Sequence, residues 1–168
     1  MVLYSGRFPW SNRGNGMIRI GKLTDYGILI LTHMAQDEAR LFTAQEVSQA
    51  VGVPLPTTTK LLKTLVHGNL LDSQRGTKGG YLLARRPDQI SMVDVVTALE
   101  GPVGLTDCGT AQQPGDCQRS ISCAIKTNWQ RINQAVHDAL AQVTLAEMRL
   151  PAVHPIHLPA SRADLQRV

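Results

Sequence analysis

The chain has 168 residues, 43% of them hydrophobic and 18% charged, enough for one globular domain with an appended element and too little for two large domains. No apolar run reaches membrane-spanning length, which excludes a transmembrane helix. A net charge of +4 and a pI near 9.2 permit a polyanionic partner without requiring one.

Residues 1–16, MVLYSGRFPWSNRGNG, hold no apolar run of signal-peptide length, and their Gly, Ser and Asn predict a disordered extension before a fold beginning near Met17. A cytoplasmic, reducing location is the default expectation. KLTDYGILILTHMAQDEA (Lys22 to Ala39) predicts a first helix with Thr24 and Asp25 as caps and a broad apolar face. In TAQEVSQAVGV (Thr43 to Val53), Thr43 stands three residues before Glu46, a capping-box spacing, and Gly52 supplies a stop, so a short second helix follows. PLPTTTKLLKTLVHGNLL predicts a third helix, with Pro54 or Pro56 at its start and Gly68 after its end.

Two short helices joined by a Gly-containing turn make a helix-turn-helix unit, whose second helix enters the DNA major groove. On that helix Thr58, Leu61, Leu62 and Leu65 recur at core-facing spacing, which turns Thr57, Thr59, Lys60, Lys63 and Thr64 outward. Hydroxyl and ammonium groups on one face suit phosphates and base edges. The same periodicity also suits an ordinary amphipathic surface helix.

LLDSQRGTKGGYLLARRP then predicts strands at Leu70 to Gln74 and Tyr81 to Ala84, joined by RGTKGG, whose three glycines are expected to supply the positive-φ positions of a tight tip. Arg75 and Lys78 at that tip make the hairpin a wing, able to reach a flanking minor groove. A phosphate-binding nucleotide loop is disfavoured, because this glycine run joins strands instead of opening a helix. SMVDVVTALEG predicts a short helix from Ser91 to just before Gly101.

All three cysteines, Cys108, Cys117 and Cys123, fall next, in a stretch rich in Gly, Pro and polar residues. Beyond them Trp129, Ile132, Val136, Ala139, Val143 and Ala146 recur at steps of three and four, a heptad-like seam that needs a partner helix. Leu140 and Leu145 widen the stripe enough for packing on the domain's own core as an alternative. Because operators are read as two half-sites by symmetric dimers, the seam is read as a dimerisation helix. PAVHPIHLPASRADLQRV, with three prolines and no periodicity, predicts a disordered tail.

The expected fold is mainly α with a small β-hairpin. Its expected parts are an extension at 1–16, a winged helix-turn-helix DNA-binding domain at 17–100, a cysteine loop at 101–126, a dimerisation helix at 127–149 and a tail at 150–168. The DNA contacts expected from the residues are Thr57, Thr59, Lys60, Lys63, Arg75 and Lys78.

In a reducing compartment, an odd and clustered set of cysteines points to metal or redox chemistry more than to disulfides. Structural zinc sites use cysteine pairs two to four residues apart, whereas eight and five residues separate these cysteines. Thiolates on a loop suit an iron–sulfur cluster, which tolerates irregular spacing, and three of them leave one coordination place open. A cluster-free thiol switch and plain loop cysteines are the alternatives. A cluster carrier would need the cysteines but not the wing. No GxSxG, HExxH or Cys–His–acid spacing occurs, so neither an enzyme nor a small-molecule substrate is expected.

Together IGKLTDYGILIL, TAQEVSQAVGV, LLKTLVHGNLLDSQRGTKGGYLLAR, VVTALEG and the cysteine loop before a long helix resemble the Rrf2 family of small bacterial winged-helix repressors, from about Met17 to about Met148. RGTKGGYLLAR is the most specific piece, since many members carry a wing written R-G-x-x-G-G-Y-x-L. Within the family, whose members include the iron–sulfur regulator IscR and the nitric-oxide sensor NsrR, KLTDYG and NWQRIN most resemble the regulators of the SUF iron–sulfur assembly operon. The resemblance implies a homodimer on double-stranded operator DNA, a 2Fe-2S cluster, and control of iron–sulfur assembly genes according to cluster, oxidant or nitric-oxide status. It also implies three loop cysteines and a non-cysteine fourth ligand. Where the IscR-like pattern has His, three positions after the last cysteine, this chain has Lys126. Another branch takes an acidic residue from the start of the partner subunit's first helix, and Asp25 holds that position. The implied ligand set is therefore Cys108, Cys117 and Cys123 with Asp25, and His33 is a second candidate for the fourth place.

Overall fold

A computed structural model describes residues 20–76, 78–106 and 123–149. Among these residues the elements run α1 (Lys22–Met34), α2 (Ala44–Val51), α3 (Leu55–His67), β1 (Leu71–Gln74), β2 (Gly80–Leu83), a 3-10 turn (Pro87–Gln89), α4 (Met92–Glu100), α5 (Lys126–Ala141) and α6 (Leu145–Met148). The extension at 1–16, the tail at 150–168, Cys108 and Cys117 lie outside the described residues.

The local signals around α2 act as their spacing predicts. The Thr43 hydroxyl accepts from the Glu46 N–H at 3.2 Å, and the Glu46 carboxylate accepts from the Thr43 N–H at 2.7 Å. Gly52 closes the helix in the left-handed region, at φ +68°. The Thr58 hydroxyl donates to the Val53 carbonyl at 3.1 Å, fixing the turn into α3.

The start of α1 differs from expectation. Its N-cap is Gly21, and Thr24 lies inside the first turn, fully buried. The cap comes from across the fold: one Glu100 carboxylate oxygen accepts from the Gly21 N–H at 2.7 Å and from the Thr24 hydroxyl. The helix also ends five residues early, at Met34, and Arg149 donates to the carbonyl of the following Ala35 at 2.8 Å.

Buried Ile30, Leu31 and Met34 of α1, Leu62 and Leu65 of α3, and Val95 of α4 form the centre of the core, each fully buried aliphatic side chain contributing about 1.5–3 kcal/mol. Small residues let the helices close. A Cβ at Gly68 would sit 2.5 Å from that of Ala98, and Gly27 likewise makes room for Leu99.

The hairpin pairs antiparallel, Leu71 with Leu83 and Gln74 with Gly80. Phe42 adds a bridge to Tyr81 through two 2.8 Å hydrogen bonds, so the wing is rooted in the segment before α2. The three tip glycines do not serve one purpose: only Gly76 takes a positive φ, +119°. Gly80 is instead required by close approach, since a Cβ there would lie 2.7 Å from the Phe42 carbonyl oxygen.

The long C-terminal helix is also broken. α5 stops at Ala141, and Thr144 pairs with Ser91, with the Met92 N–H donating to Val143 and the Leu145 N–H to Ile90, both at 2.8 Å. A Thr144–Glu147 capping box then starts α6. Leu145, counted as widening the seam, is fully buried in the domain core. Ahead of α5, the Leu105 N–H donates at 2.8 Å to the side-chain oxygen of buried Asn133, joining the segment after α4 to the middle of α5.

Candidate nucleic-acid interface and cysteine site

α3 separates its two faces as its spacing predicts. Thr58, Leu61, Leu62 and Leu65 are buried, while Lys60 and Lys63 are exposed and Thr57, Thr59 and Thr64 half-buried. The Thr64 hydroxyl donates to the Lys60 carbonyl at 3.1 Å, which engages it within the helix. Arg75 and Lys78 are exposed at the wing tip. Between α3 and the hairpin lies a groove of about 570 Å³, reached by Lys63, His67, Gln74 and Arg75 and by the α2 cap residue Thr43. His67 was not among the residues singled out for DNA. Its position four after Lys63, on the same helix face, was the available signal.

The cysteine site is described at two of its four expected members. Cys123 is a free, half-buried thiol just before α5, and its carbonyl accepts from the Lys126 N–H at 3.3 Å. Asp25 is exposed in the first turn of α1. Among the described residues no three His, Cys, Asp or Glu side chains converge as a metal site. His33 sits at the other end of α1 from Asp25, its ring packed edge-on against Phe42 with centroids 5.5 Å apart. That contact occupies His33 at the root of the wing.

Along α5, Ile132 is 44% exposed, and Trp129 and Val136 are half-buried. Ile125, just before the helix, is 55% exposed. A single chain thus leaves much of the seam uncovered. No helix among the described residues is long and apolar enough to cross a membrane.

Residues 20–149 match the Rrf2 family, described as an iron-dependent transcriptional regulator. The HTH-type transcriptional regulator IscR of Erwinia tasmaniensis is 32% identical over 103 residues, 61% of this chain and 61% of that protein. Protein aau3 of Rhizobium meliloti is 27% identical over 131 residues, 78% of this chain and 84% of that protein. The match spans about three fifths of the length of the IscR relatives. Among solved structures, CymR, the global cysteine regulator of B. subtilis, superposes with a TM-score of 0.59 at 25% identity, over 79% of this chain and 96% of that one. T. potens IscR superposes with a TM-score of 0.58 at 24% identity, over 78% and 85%. The helix-turn-helix, the wing and the extent of the family match lead to one assignment: the chain belongs to the Rrf2 family of winged-helix transcriptional regulators.

Proposed function

We propose that the protein is a homodimeric, cytoplasmic repressor of iron–sulfur assembly genes that holds a 2Fe-2S cluster with Cys108, Cys117 and Cys123 of one subunit and Asp25 of the partner subunit. The observation that carries the DNA-binding part is the division of α3 into a buried Thr58/Leu61/Leu62/Leu65 face and an exposed Lys60/Lys63 face beside the basic wing tip. The stripe of exposed Ile132 and half-buried Val136 supports a second copy as the partner of α5. The likeness to IscR supports the cluster.

The donor set fits that group. Soft thiolates suit iron–sulfur ligation, Cys123 stands free, and the Asp25 carboxylate is exposed where another subunit can reach it. The cluster would supply a centre that reacts with oxidants and nitric oxide. Thiols ligate only as thiolates, so the cysteines must release their protons. A carboxylate is a harder ligand than a thiolate, and Asp25 in the fourth place favours easy loss over permanent retention. Cys123 adjoins α5 and Asp25 belongs to α1, so joint ligation would tie the dimer helix of one subunit to the winged domain of the other. That tie couples ligation to the spacing of the two recognition helices.

An anaerobic absorption spectrum with iron and sulfide counts tests the reading. Each Cys→Ala variant should lose the visible bands. Asp25→Ala should shift the bands and speed bleaching in air while the apo protein stays folded. A second reading, a thiol switch without a cluster, draws on the likeness to the CymR cysteine regulator and on the free Cys123. A colourless, iron-free protein whose DNA affinity responds reversibly to thiol oxidation would replace the first reading with the second.

A further inference from the structure

If α3 occupies a major groove and the wing reaches the adjacent minor groove, one thing must pass between them: the sugar–phosphate backbone of the single strand that separates those grooves. The space between α3 and the wing is the groove of about 570 Å³ reached by Lys63 and His67 from the helix and by Arg75 from the hairpin. No acidic residue lines it among the described residues. Gly76, Gly79 and Gly80 line part of its hairpin side beside Gln74, Arg75 and Tyr81, and at those glycines peptide groups can approach a ligand closely.

Resting on the DNA-binding reading above, we infer that this groove seats one DNA strand, and that His67 is a phosphate contact beside Lys63 and Arg75. His67 follows Lys63 by one helical turn and is exposed, so both can meet neighbouring phosphates. Lys and Arg keep their charge throughout the neutral range. An imidazole adds a full charge only when protonated, which makes this third contact sensitive to pH.

The charged groups around His67 favour an anion. Lys63 lies on its own helix and Arg75 on the hairpin. On its other side His67 also borders a second groove of about 520 Å³, shared with Arg85, Asp94 and His137. There the Asp94 carboxylate is paired with Arg85 at 3.5 Å. Near the α2 cap the Glu46 carboxylate is engaged by the Thr43 N–H at 2.7 Å and by Arg40 at 2.9 Å.

The test is fluorescence anisotropy of the full chain on a mixed-sequence DNA duplex, over a salt series at about pH 6 and about pH 8. The wild type should bind several-fold more tightly at the lower pH. Its plot of log affinity against log salt should be steeper there by about one ion. His67→Gln should abolish this difference, and His67→Lys should keep the steep slope at both pH values. A pH difference of wild-type size in His67→Gln, or none in the wild type, overturns the inference. Lys63→Ala keeps the two readings apart: a shallower slope in that variant, with His67 variants that match wild type, sinks the His67 contact alone. Wild-type slopes in Lys63→Ala and Arg75→Ala overturn the DNA-binding face itself.

Discussion

The Glu46 carboxyl is held below its ordinary value of 4.5, first by the Thr43 N–H, then by the Thr43 hydroxyl and by Arg40. A carboxyl whose folded value is depressed contributes stability that is whole above the unfolded value and is lost as the pH falls through the folded one. Glu46→Gln should therefore have a lower Tm than the wild type at neutral pH, and the gap should close as the pH falls below 4.5 and through the depressed folded value. Thermal melts across that range check this. The Thr43–Glu46 box was legible in the sequence because its partners are three residues apart. The cap on α1 was not, because its acceptor, Glu100, lies 79 residues from Gly21. In sequence, Thr24 has the makings of an N-cap; only the packing of α4 against α1 turns it into a buried donor.

Helical periodicity counts faces and is blind to a chain that leaves the helix and returns in phase. The steps from Trp129 to Ala146 continue across Gln142–Thr144, where the backbone in fact pairs with Ser91. Thr144 and Glu147 carry the spacing of a new helix start, a signal that the long stripe obscured. The two halves of the stripe should answer mutation differently. Leu145→Ala removes a fully buried side chain and should cost about 2–5 kcal/mol in urea unfolding. Ile132→Asp, at a position 44% exposed in the single chain, should leave helical circular dichroism intact and convert the proposed dimer to monomers in sedimentation. A folded Ile132→Asp dimer would place the subunit contact elsewhere. The wing tip shows the same limit on reading by residue type: three glycines promise a turn, yet the needs of Gly76 and Gly80 separate only when Phe42 is seen beside the hairpin.

Over the whole molecule, the order helix, helix, wing was legible because each piece declares itself within about twenty residues. Local spacing carries no information on the proposed pairing of Asp25 with the cysteines, which would join two subunits. A net charge of +4 is too small to dictate binding by itself, so the placement of cations matters more than their sum. Lys63→Ala should weaken binding to every DNA sequence alike and lower the salt slope by about one ion, in a filter-binding salt titration.

The bond from the Leu105 N–H to Asn133 has a bearing on how such a regulator can change over generations. Leu105 is pinned to α5 at Asn133, about 10 Å along the axis from the first residue of that helix, Lys126. The bond fastens the chain to α5 immediately before the cysteines, so changes of residue at and around them need not be transmitted to α1–α4, and the proposed ligand set and the DNA-reading face are free to evolve apart.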